Sequence, residues 1–546
     1  MGKITINGNE YEFKPGQTII EVATENGLDI PHFCWHPSLS VSGNCRMCLV
    51  EVEKMPKLVI ACSTYAAEGM VVNVNSEKSV DARKAVMEFI LINHPLDCPI
   101  CDEAGECKLQ DYTFSHSVGE SRFVEEKQHK NKRVQLGPRI IFDGERCISC
   151  SRCIRFSAEV AKKNQLTFVK RGDRVTINTF PGESFDNNYT LNTTDICPVG
   201  ALTSKEFRFK SRVWEMSSTD SICIGCSRGC NTEIWVRNNE VLRLTPRNNP
   251  GVNSYWMCDK GRLETFKEIN DVESRIEGSF VKEHDKLVKH DLLKSITKIT
   301  EILKSYKASE IAFVASAYET IEDNYALLKL AKSLNIENIV LAEHKLPGDF
   351  DDILLTEDKT PNYNGAKLLF PNYIDILALT ENINNGKIKV ALMLDSHFKD
   401  EKVIEALSKL KDLVVFATNK NKVTELATVL LGISTYAEKN GTFLNGFGVL
   451  QRIKPAVATE EMDRSLDNLS ESRWDKFGTK FDRWMKGKKY DVKPSWKLIT
   501  IISGSLKVKF NFNMAEEVFN EASNNIKPLN GLDYDVISDK GVKLKF

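Results

Sequence analysis

Fifteen cysteines carry the chemistry of this 546-residue sequence, and all of them lie between Cys34 and Cys258. They sort by spacing into four groups. Cys34, Cys45, Cys48 and Cys62 form the first. Cys98, Cys101 and Cys107 form the second, with His94 four residues ahead of Cys98 to complete a set of four. Cys147, Cys150 and Cys153, with the distant Cys197, form the third, and Cys223, Cys226, Cys230 and Cys258 the fourth. No cysteine is left over. Iron–sulfur clusters take four thiolates, with imidazole sometimes replacing one. A C-x2-C turn aims two sulfurs and several backbone N–H groups at one point, and a distant fourth ligand ties the loop to its domain. Structural zinc also accepts four cysteines, or three with one histidine. The triplet Cys147, Cys150, Cys153 crowds three ligands into a short loop, which favours iron–sulfur over zinc. A disulfide framework does not suit an intracellular chain of this size.

Composition is that of an ordinary globular protein, 42% hydrophobic and 27% charged, and the length allows about three to five domains. Lysine and arginine total 74 against 75 acidic residues, for a net charge of −1. The basic excess of a nucleic-acid binder is absent. No apolar run reaches the ~18 residues of a membrane span. The start, Met-Gly-Lys-Ile-Thr-Ile, has no signal-peptide core, and Ile6 stands where a myristoylation motif prefers Ser or Thr. These features place the chain in the cytoplasm.

The elements that must hold the cysteines can be read from pattern. Residues 3–13 alternate around Asn7-Gly8-Asn9, a β-hairpin signal. Thr18-Ile19-Ile20-Glu21 is a capping box opening a short helix that stops near Gly27. Gly43 lets the backbone approach the first site closely, and 49–53 and 58–61 read as strands. A hairpin, a helix and a four-cysteine loop make residues 1–76 a β-grasp ferredoxin holding a [2Fe–2S] cluster. Val80, Val86, Phe89 and Ile90 predict a helix over 77–93 that His94-Pro95 ends, so 77–117 carries the His94 site. The polar stretch 117–138, with Lys127, Lys130, Lys132 and Arg133, reads as a solvated connector. Residues 139–210 hold the third site as one [4Fe–4S] cluster, and 218–270 the fourth, with strands at 233–236 and 241–244. Arg46 and Arg152, beside ligands, read as solvated surface arginines with cluster tuning as the alternative. Beyond 270, short apolar runs at 311–315, 339–342, 390–394 and 413–417 alternate with helical patterns at 320–334, 401–411 and 421–430. That predicts a parallel sheet covered by helices over 271–546. No dinucleotide fingerprint, P-loop or nucleophile–base pair stands out, so no catalytic residue is assigned.

The four groups, in this order and spacing, resemble the large iron–sulfur subunit (the G subunit) of NADH–quinone oxidoreductase, respiratory complex I. The resemblance rests on His94-Pro95-Leu96-Asp97-Cys98-Pro99-Ile100-Cys101, on Gly105-Glu106-Cys107-Lys108-Leu109-Gln110-Asp111 and on Cys197-Pro198-Val199-Gly200-Ala201-Leu202. It covers residues 1–265 closely. It implies one [2Fe–2S] and two [4Fe–4S] clusters on the electron path, one of them ligated by His94, and a third [4Fe–4S] cluster on the fourth group, off that path. The C-terminal half resembles the molybdopterin-oxidoreductase fold through Glu438-Lys439-Asn440-Gly441-Thr442-Phe443-Leu444-Asn445. There it implies a domain that has lost its molybdopterin and that is shortened as well, because no long segment comes after residue 460. The fold class expected is therefore multidomain α+β and α/β.

The resemblance implies a wire in the peripheral arm, on the cytoplasmic side of a bacterial inner membrane. Electrons arrive from a flavin subunit that binds NADH and leave toward quinone. Hydride chemistry belongs to nicotinamide and flavin, for which this chain shows no evident site. The competing enzyme is an NAD-linked formate dehydrogenase α subunit, which shares the N-terminal order but usually adds two ferredoxin-type clusters and a full molybdopterin region. An iron-only hydrogenase would need cysteines after Cys258, and a zinc scaffold would hold no iron.

Overall fold

The computed structural model describes residues 1–117, 119–461, 487–508 and 510–545. The chain divides into two compact units, Met1–Trp214 and Glu215–Phe546. The expectation for the segment beyond residue 460 falls partly on 462–486, outside the described residues.

The first unit opens with the hairpin β1 (Gly2–Ile6) and β2 (Asn9–Phe13). Asn7 and Gly8 both have positive φ, 50° and 82°. This two-residue turn matches the twist of the flanking strands. Helix α1 (Ile19–Glu25) starts from its capping box, in which the Glu21 carboxylate accepts from the Thr18 N–H at 2.7 Å. Strands β3 (Leu49–Val52), β4 (Val59–Ile60) and β5 (Met70–Asn73) complete a sheet of order β2-β1-β5-β3-β4. β1 and β5 are parallel and the other pairs antiparallel. Ile19, Ile20, Val22 and Ala23 of α1 share one core with Ile4, Ile6, Val50 and Val72 of the sheet. Helices α2 (Glu77–Leu91) and α3 (Lys108–His116) come next. A second sheet joins β6 (Val134–Gln135), β7 (Ile140–Phe142) and a later strand, and α4 is the short helix Arg152–Arg155. β8 (Leu166–Val169) and β9 (Thr176–Thr179) pair as a hairpin. The short helix α5 (Asn192–Asp195) leads to β10 (Leu202–Ser204), which pairs with β7.

Two readings of this unit are corrected. The buried face of α2 is Ser79, Arg83 and Met87, whereas Phe89 is 75% exposed. The Arg83 guanidinium is drawn inward because it donates to the carbonyls of Leu49 and Val74, strand-end groups that would otherwise be orphaned. The polar stretch 117–138 is not simply a solvated connector. Lys127 Nζ donates to the carbonyls of Leu91 and Ile92 at the end of α2, and Lys132 bridges Asp97 and Glu145.

The second unit begins with an antiparallel sheet of β11 (Ser217–Ile222), β12 (Asn231–Arg237) and β13 (Glu240–Pro246). Helices α6 (Asp259–Glu264) and α7 (Lys267–Asn270) lead out of it. The hairpin β14 (Ser279–Glu283) and β15 (Lys286–His290) precedes α8 (Leu292–Ser305). Then β16 (Ile311–Ala315), α9 (Ile321–Ser333), β17 (Asn338–Leu341), α10 (Tyr363–Leu369), α11 (Ile376–Asn384) and β18 (Val390–Met393) alternate. They continue into α12 (Glu401–Ser408), β19 (Asp412–Ala417), α13 (Lys422–Leu426) and β20 (Val429–Gly432). The sheet order is β15-β14-β20-β19-β18-β16-β17, with β16 to β20 parallel. Buried clusters on both faces give the helix-covered parallel sheet expected from the alternation, with the antiparallel hairpin β14–β15 added at one edge. One boundary differs. The helix expected over 421–430 ends at Leu426, and Val429–Gly432, fully buried, becomes a strand between β19 and β14. The Glu438–Asn445 stretch forms β21 (Gly441–Leu444), which pairs with β22 (Val449–Ile453). Helices α14 (Ser495–Ser505) and α15 (Ala515–Asn525) and strand β23 (Val542–Lys543) pack onto this unit.

A fully buried ionic network lies beside that stretch. Lys439 Nζ donates to Glu319 at 2.5 Å and Asp323 at 2.8 Å, and Arg275 holds Glu438 at 2.8 Å. Glu322 accepts from the Thr442 N–H and the Tyr534 hydroxyl. Burial, with Asp323 alongside and Lys439 opposing, pushes Glu319 up to about 8. Burial pushes Glu322 up to about 7. Both carboxyls bind a proton more tightly folded than unfolded. Their contribution to stability is therefore full below about pH 4.5 and is lost as pH rises toward about 8. Thermal melting across that range should show a stability that falls with pH, and Glu319→Gln should flatten the upper part of the slope. A wild-type profile already flat between about pH 5 and 8 would contradict the assignment.

Candidate metal centres

The first group surrounds the edge of the ferredoxin-like sheet. Cys48 stands just before β3 and Cys62 just after β4, while Cys34 and Cys45 lie on the loop between α1 and β3. Cys34, Cys48 and Cys62 are buried. The four thiols converge: that of Cys34 faces those of Cys45 and Cys62, and that of Cys62 faces Cys48. The Cys34 N–H donates to Cys45 Sγ at 3.4 Å. Gly43 and Arg46 both hold left-handed backbone, φ 63° and 58°. Such turns point successive N–H groups into a concavity suited to an anion. Arg46 itself is exposed, as expected.

The third group is built the same way. Ser149 and Ser151 flank Cys150 with φ 55° and 62°. Backbone N–H groups of Ser149, Arg152, Ile154 and Val199 face the sulfurs of Cys147, Cys150, Cys153 and Cys197 respectively. All four cysteines line one small cavity, walled by Phe142, Ile177 and Leu202. Burial pushes the Cys147 thiol up to about 11 and those of Cys153 and Cys197 well above the ordinary range. Bare thiolates are costly here, and cationic iron is what would offset them. The donor set fits an iron–sulfur cluster.

The second group sits beyond α2. Cys98–Ile100 is a 3-10 turn, and Cys107 is the N-cap of α3. Cys101 faces the charges of both Cys98 and Arg146, and Cys107 faces Cys101. Cys98 is exposed. Burial, with Lys127 and Arg146 nearby, lowers His94 to about 4. Its imidazole is therefore neutral at ordinary pH, the form that coordinates metal. Among the described residues no hydrogen bond joins the ring to a thiol, but Arg146 faces both His94 and Cys101. Exchanging neutral imidazole for thiolate adds negative charge, so His94→Cys should lower this centre's midpoint potential in an EPR-monitored titration. A potential that did not move would contradict the ligand assignment.

The fourth group belongs to the second unit. Cys223 comes just after β11, Cys230 precedes β12, and Cys258 caps α6, its sulfur accepting from the Gly261 N–H at 3.3 Å. The Gly225 N–H donates to Cys223 Sγ at 3.4 Å. All four cysteines are buried. A Cβ at Gly261 would lie 2.8 Å from Cys223 Sγ and 3.3 Å from Cys258 Sγ. Glycine leaves that room to the sulfurs. Among the described residues no three His, Cys, Asp or Glu side chains close tightly enough to grip a single metal ion.

Contacts between the first three groups set an order in space that differs from the order in sequence. The Arg155 guanidinium donates to the carbonyls of Cys34 and Cys150. Arg152 donates to the carbonyls of Trp35 and Ile196, and Asn44 to that of Ser149 at 3.0 Å. These join the first group to the third. The turn after Cys197 joins the third to the second: a Cβ at Gly200 would lie 2.3 Å from Cys101 Sγ, and the Cys107 thiol faces the Pro198 carbonyl. Arg146, next to Cys147, pairs with Asp97, next to Cys98, at 2.9 Å. Arg152 is thus not a surface residue; it is 5% exposed. Its carbonyl partners lie far along the chain, so nothing local marks it as buried. Arg146, Arg155 and Gly200 escaped the sequence reading, although Arg146 and Arg155 stand within two residues of ligands.

Cysteine sets held in adjoining loops of one unit are the arrangement of an iron–sulfur electron-transfer protein. Compared with the G subunit of NADH-quinone oxidoreductase from Rickettsia felis, the chain is 33% identical over 474 residues, 84% of this chain and 69% of that one. Against the same subunit of Rickettsia conorii it is 38% identical over 338 residues, 62% of this chain and 50% of that one. The chain belongs to the family of NADH-quinone oxidoreductase G subunits. It spans from half to about two thirds of the length of these relatives. Family models agree along the chain. A 2Fe-2S iron-sulfur cluster binding domain matches residues 2–77, and the NADH-ubiquinone oxidoreductase-G iron-sulfur binding region matches 83–122. The ferredoxin-like domain of NADH-quinone oxidoreductase subunit 3 matches 137–203. The molybdopterin oxidoreductase Fe4S4 domain matches 216–265, and molybdopterin oxidoreductase 362–466. Neither relative is a formate dehydrogenase. A chain from a crystal structure of an NAD+-reducing [NiFe]-hydrogenase in the H2-reduced state is 29% identical over 39% of this chain and 91% of that one, with a TM-score of 0.35. No helix among the described residues is long and apolar enough to cross a membrane.

Proposed function

We propose that this chain relays single electrons from a flavin subunit that binds NADH toward quinone, within a multi-subunit oxidoreductase. The ligands are Cys34, Cys45, Cys48 and Cys62 for one [2Fe–2S] cluster. His94, Cys98, Cys101 and Cys107, then Cys147, Cys150, Cys153 and Cys197, hold two [4Fe–4S] clusters. Cys223, Cys226, Cys230 and Cys258 hold a third [4Fe–4S] cluster off the main path. When bound, these clusters supply reversible one-electron redox chemistry with no bond made or broken in substrate. The protein's part is to hold the sulfurs, point N–H groups at them, and fix one ligand set against the next. The observation that carries the reading is the chain of contacts through Arg155, Arg152 and the Cys197–Gly200 turn. It supports a route in the order first, third, second group. The complex would be peripheral to the cytoplasmic side of a bacterial inner membrane. The 271–546 region would be a scaffold without molybdopterin. Glu438 and Lys439 of its family-like stretch are committed to the buried ion pairs described above, which supports that role.

The order is testable in the assembled oxidoreductase with Cys153→Ser. NADH should still reduce the first centre, while the His94 centre should stay oxidised with NADH and be reduced only by dithionite. Reduction of the His94 centre by NADH in this variant would overturn the order.

A further inference from the structure

Arg152 is a buried cation without an acidic partner among the described residues. Its side chain is wedged between the first and third ligand groups, with guanidinium nitrogens on the carbonyls of Trp35 and Ile196, the neighbours of Cys34 and Cys197. Its Nε makes no hydrogen bond among the described residues. The negative charges that face it are the sulfurs of Cys150, Cys197 and Cys34. Lys108 and Arg155 add positive charge nearby rather than neutralising it. Burying an unpaired guanidinium is costly unless an anion offsets it. Arginine does not shed its proton in proteins, so the charge stays. Two anionic cluster sites, one on each side, are the offset this geometry offers.

We propose that Arg152 is a shared counter-cation for the first and third centres and holds both of their midpoint potentials up together. The proposal rests on the electron-relay reading above. Each centre gains one electron on reduction and loses it on oxidation, with no proton moved at Arg152. A fixed positive charge favours the more negative, reduced form. Because one guanidinium faces both sets, its removal acts on both. The His94 centre is the internal reference, because none of its ligands is among the charges nearest Arg152.

The test is EPR-monitored redox titration of the complete oxidoreductase carrying Arg152→Met or Arg152→Lys. In Arg152→Met the reduced-to-oxidised ratio at fixed potential should fall about tenfold at both the first and third centres, ~59 mV for a one-electron couple. The His94 centre should not move. Arg152→Lys, which keeps the charge, should restore most of the shift. Unchanged potentials, a shift at one centre only, or Lys as low as Met would overturn the shared-cation role. If Arg152→Met does not assemble, Arg155→Gln, at the half-buried second guanidinium, should lower both potentials by a smaller amount, and no shift there would equally overturn it. Wild-type protein lacking iron–sulfur signals would instead sink the relay reading itself.

Discussion

Gly200→Ala is expected to remove the EPR signal of the His94 centre and to slow NADH–quinone electron transfer by on the order of 10²-fold, the scale of an ångström-sized misplacement in a pre-organised site. The new methyl would lie 2.3 Å from Cys101 Sγ and 3.0 Å from Glu103 Cβ. No real Cβ contact is that short, so either the cysteine or the turn must move. The turn cannot move freely, because Cys197 at its start belongs to the third group and the Pro198 carbonyl faces the Cys107 thiol. One methyl therefore strains two ligand sets at once. The first and fourth centres, built on other loops, should keep their signals. Full activity with all signals intact would show that the Cys197–Gly200 turn does not fix the spacing of these two sets.

Lys439→Met is expected to destabilise the second unit by about 3–5 kcal/mol, the cost of removing one member of a buried ion pair. Lys439 is 1% exposed and holds the Asp323 carboxylate together with the Glu319 carboxyl. Asp323 lies below the ordinary carboxylate range: burial opposes this, and Lys439 with its hydrogen bonds outweighs it. Without the ammonium, Asp323 is left as a buried carboxylate beside the Glu319 carboxyl and is driven to take up a proton. Chemical unfolding followed by a probe in the second unit should show the loss, and it should shrink toward acid pH as Asp323 protonates. A change below about 1 kcal/mol at neutral pH would mean that the network is solvated enough to be replaced.

What the sequence made legible and what it hid divide along one physical line. Cysteine spacing, the Asn7-Gly8 turn, the Thr18–Glu21 box and the four apolar runs of the parallel sheet are local signals, set by residues a few positions apart. The four cysteine groups as spacings, the first hairpin and the parallel strands β16 to β19 could be read from them. Arg83 on α2 and Arg152 beside Cys153 were hidden because each is drawn inward by carbonyls on other segments, at Leu49, Val74, Trp35 and Ile196. The place of the third group between the first and second was hidden for the same reason. It depends on Gly200 meeting Cys101 and on Arg155 meeting Cys34, about a hundred residues apart in each case. Val429–Gly432 reads as part of a helix because a short apolar run carries no period of its own; its partners β14 and β19 make it a strand.

The most direct test of the electron-relay account is iron and acid-labile sulfide analysis of the anaerobically purified oxidoreductase, with EPR after dithionite reduction. The ligand sets predict about 14 irons in this chain, from one [2Fe–2S] and three [4Fe–4S] clusters. Signals from one binuclear and up to three tetranuclear centres would match the account. Zinc in place of iron, or molybdenum together with formate oxidation, would contradict it.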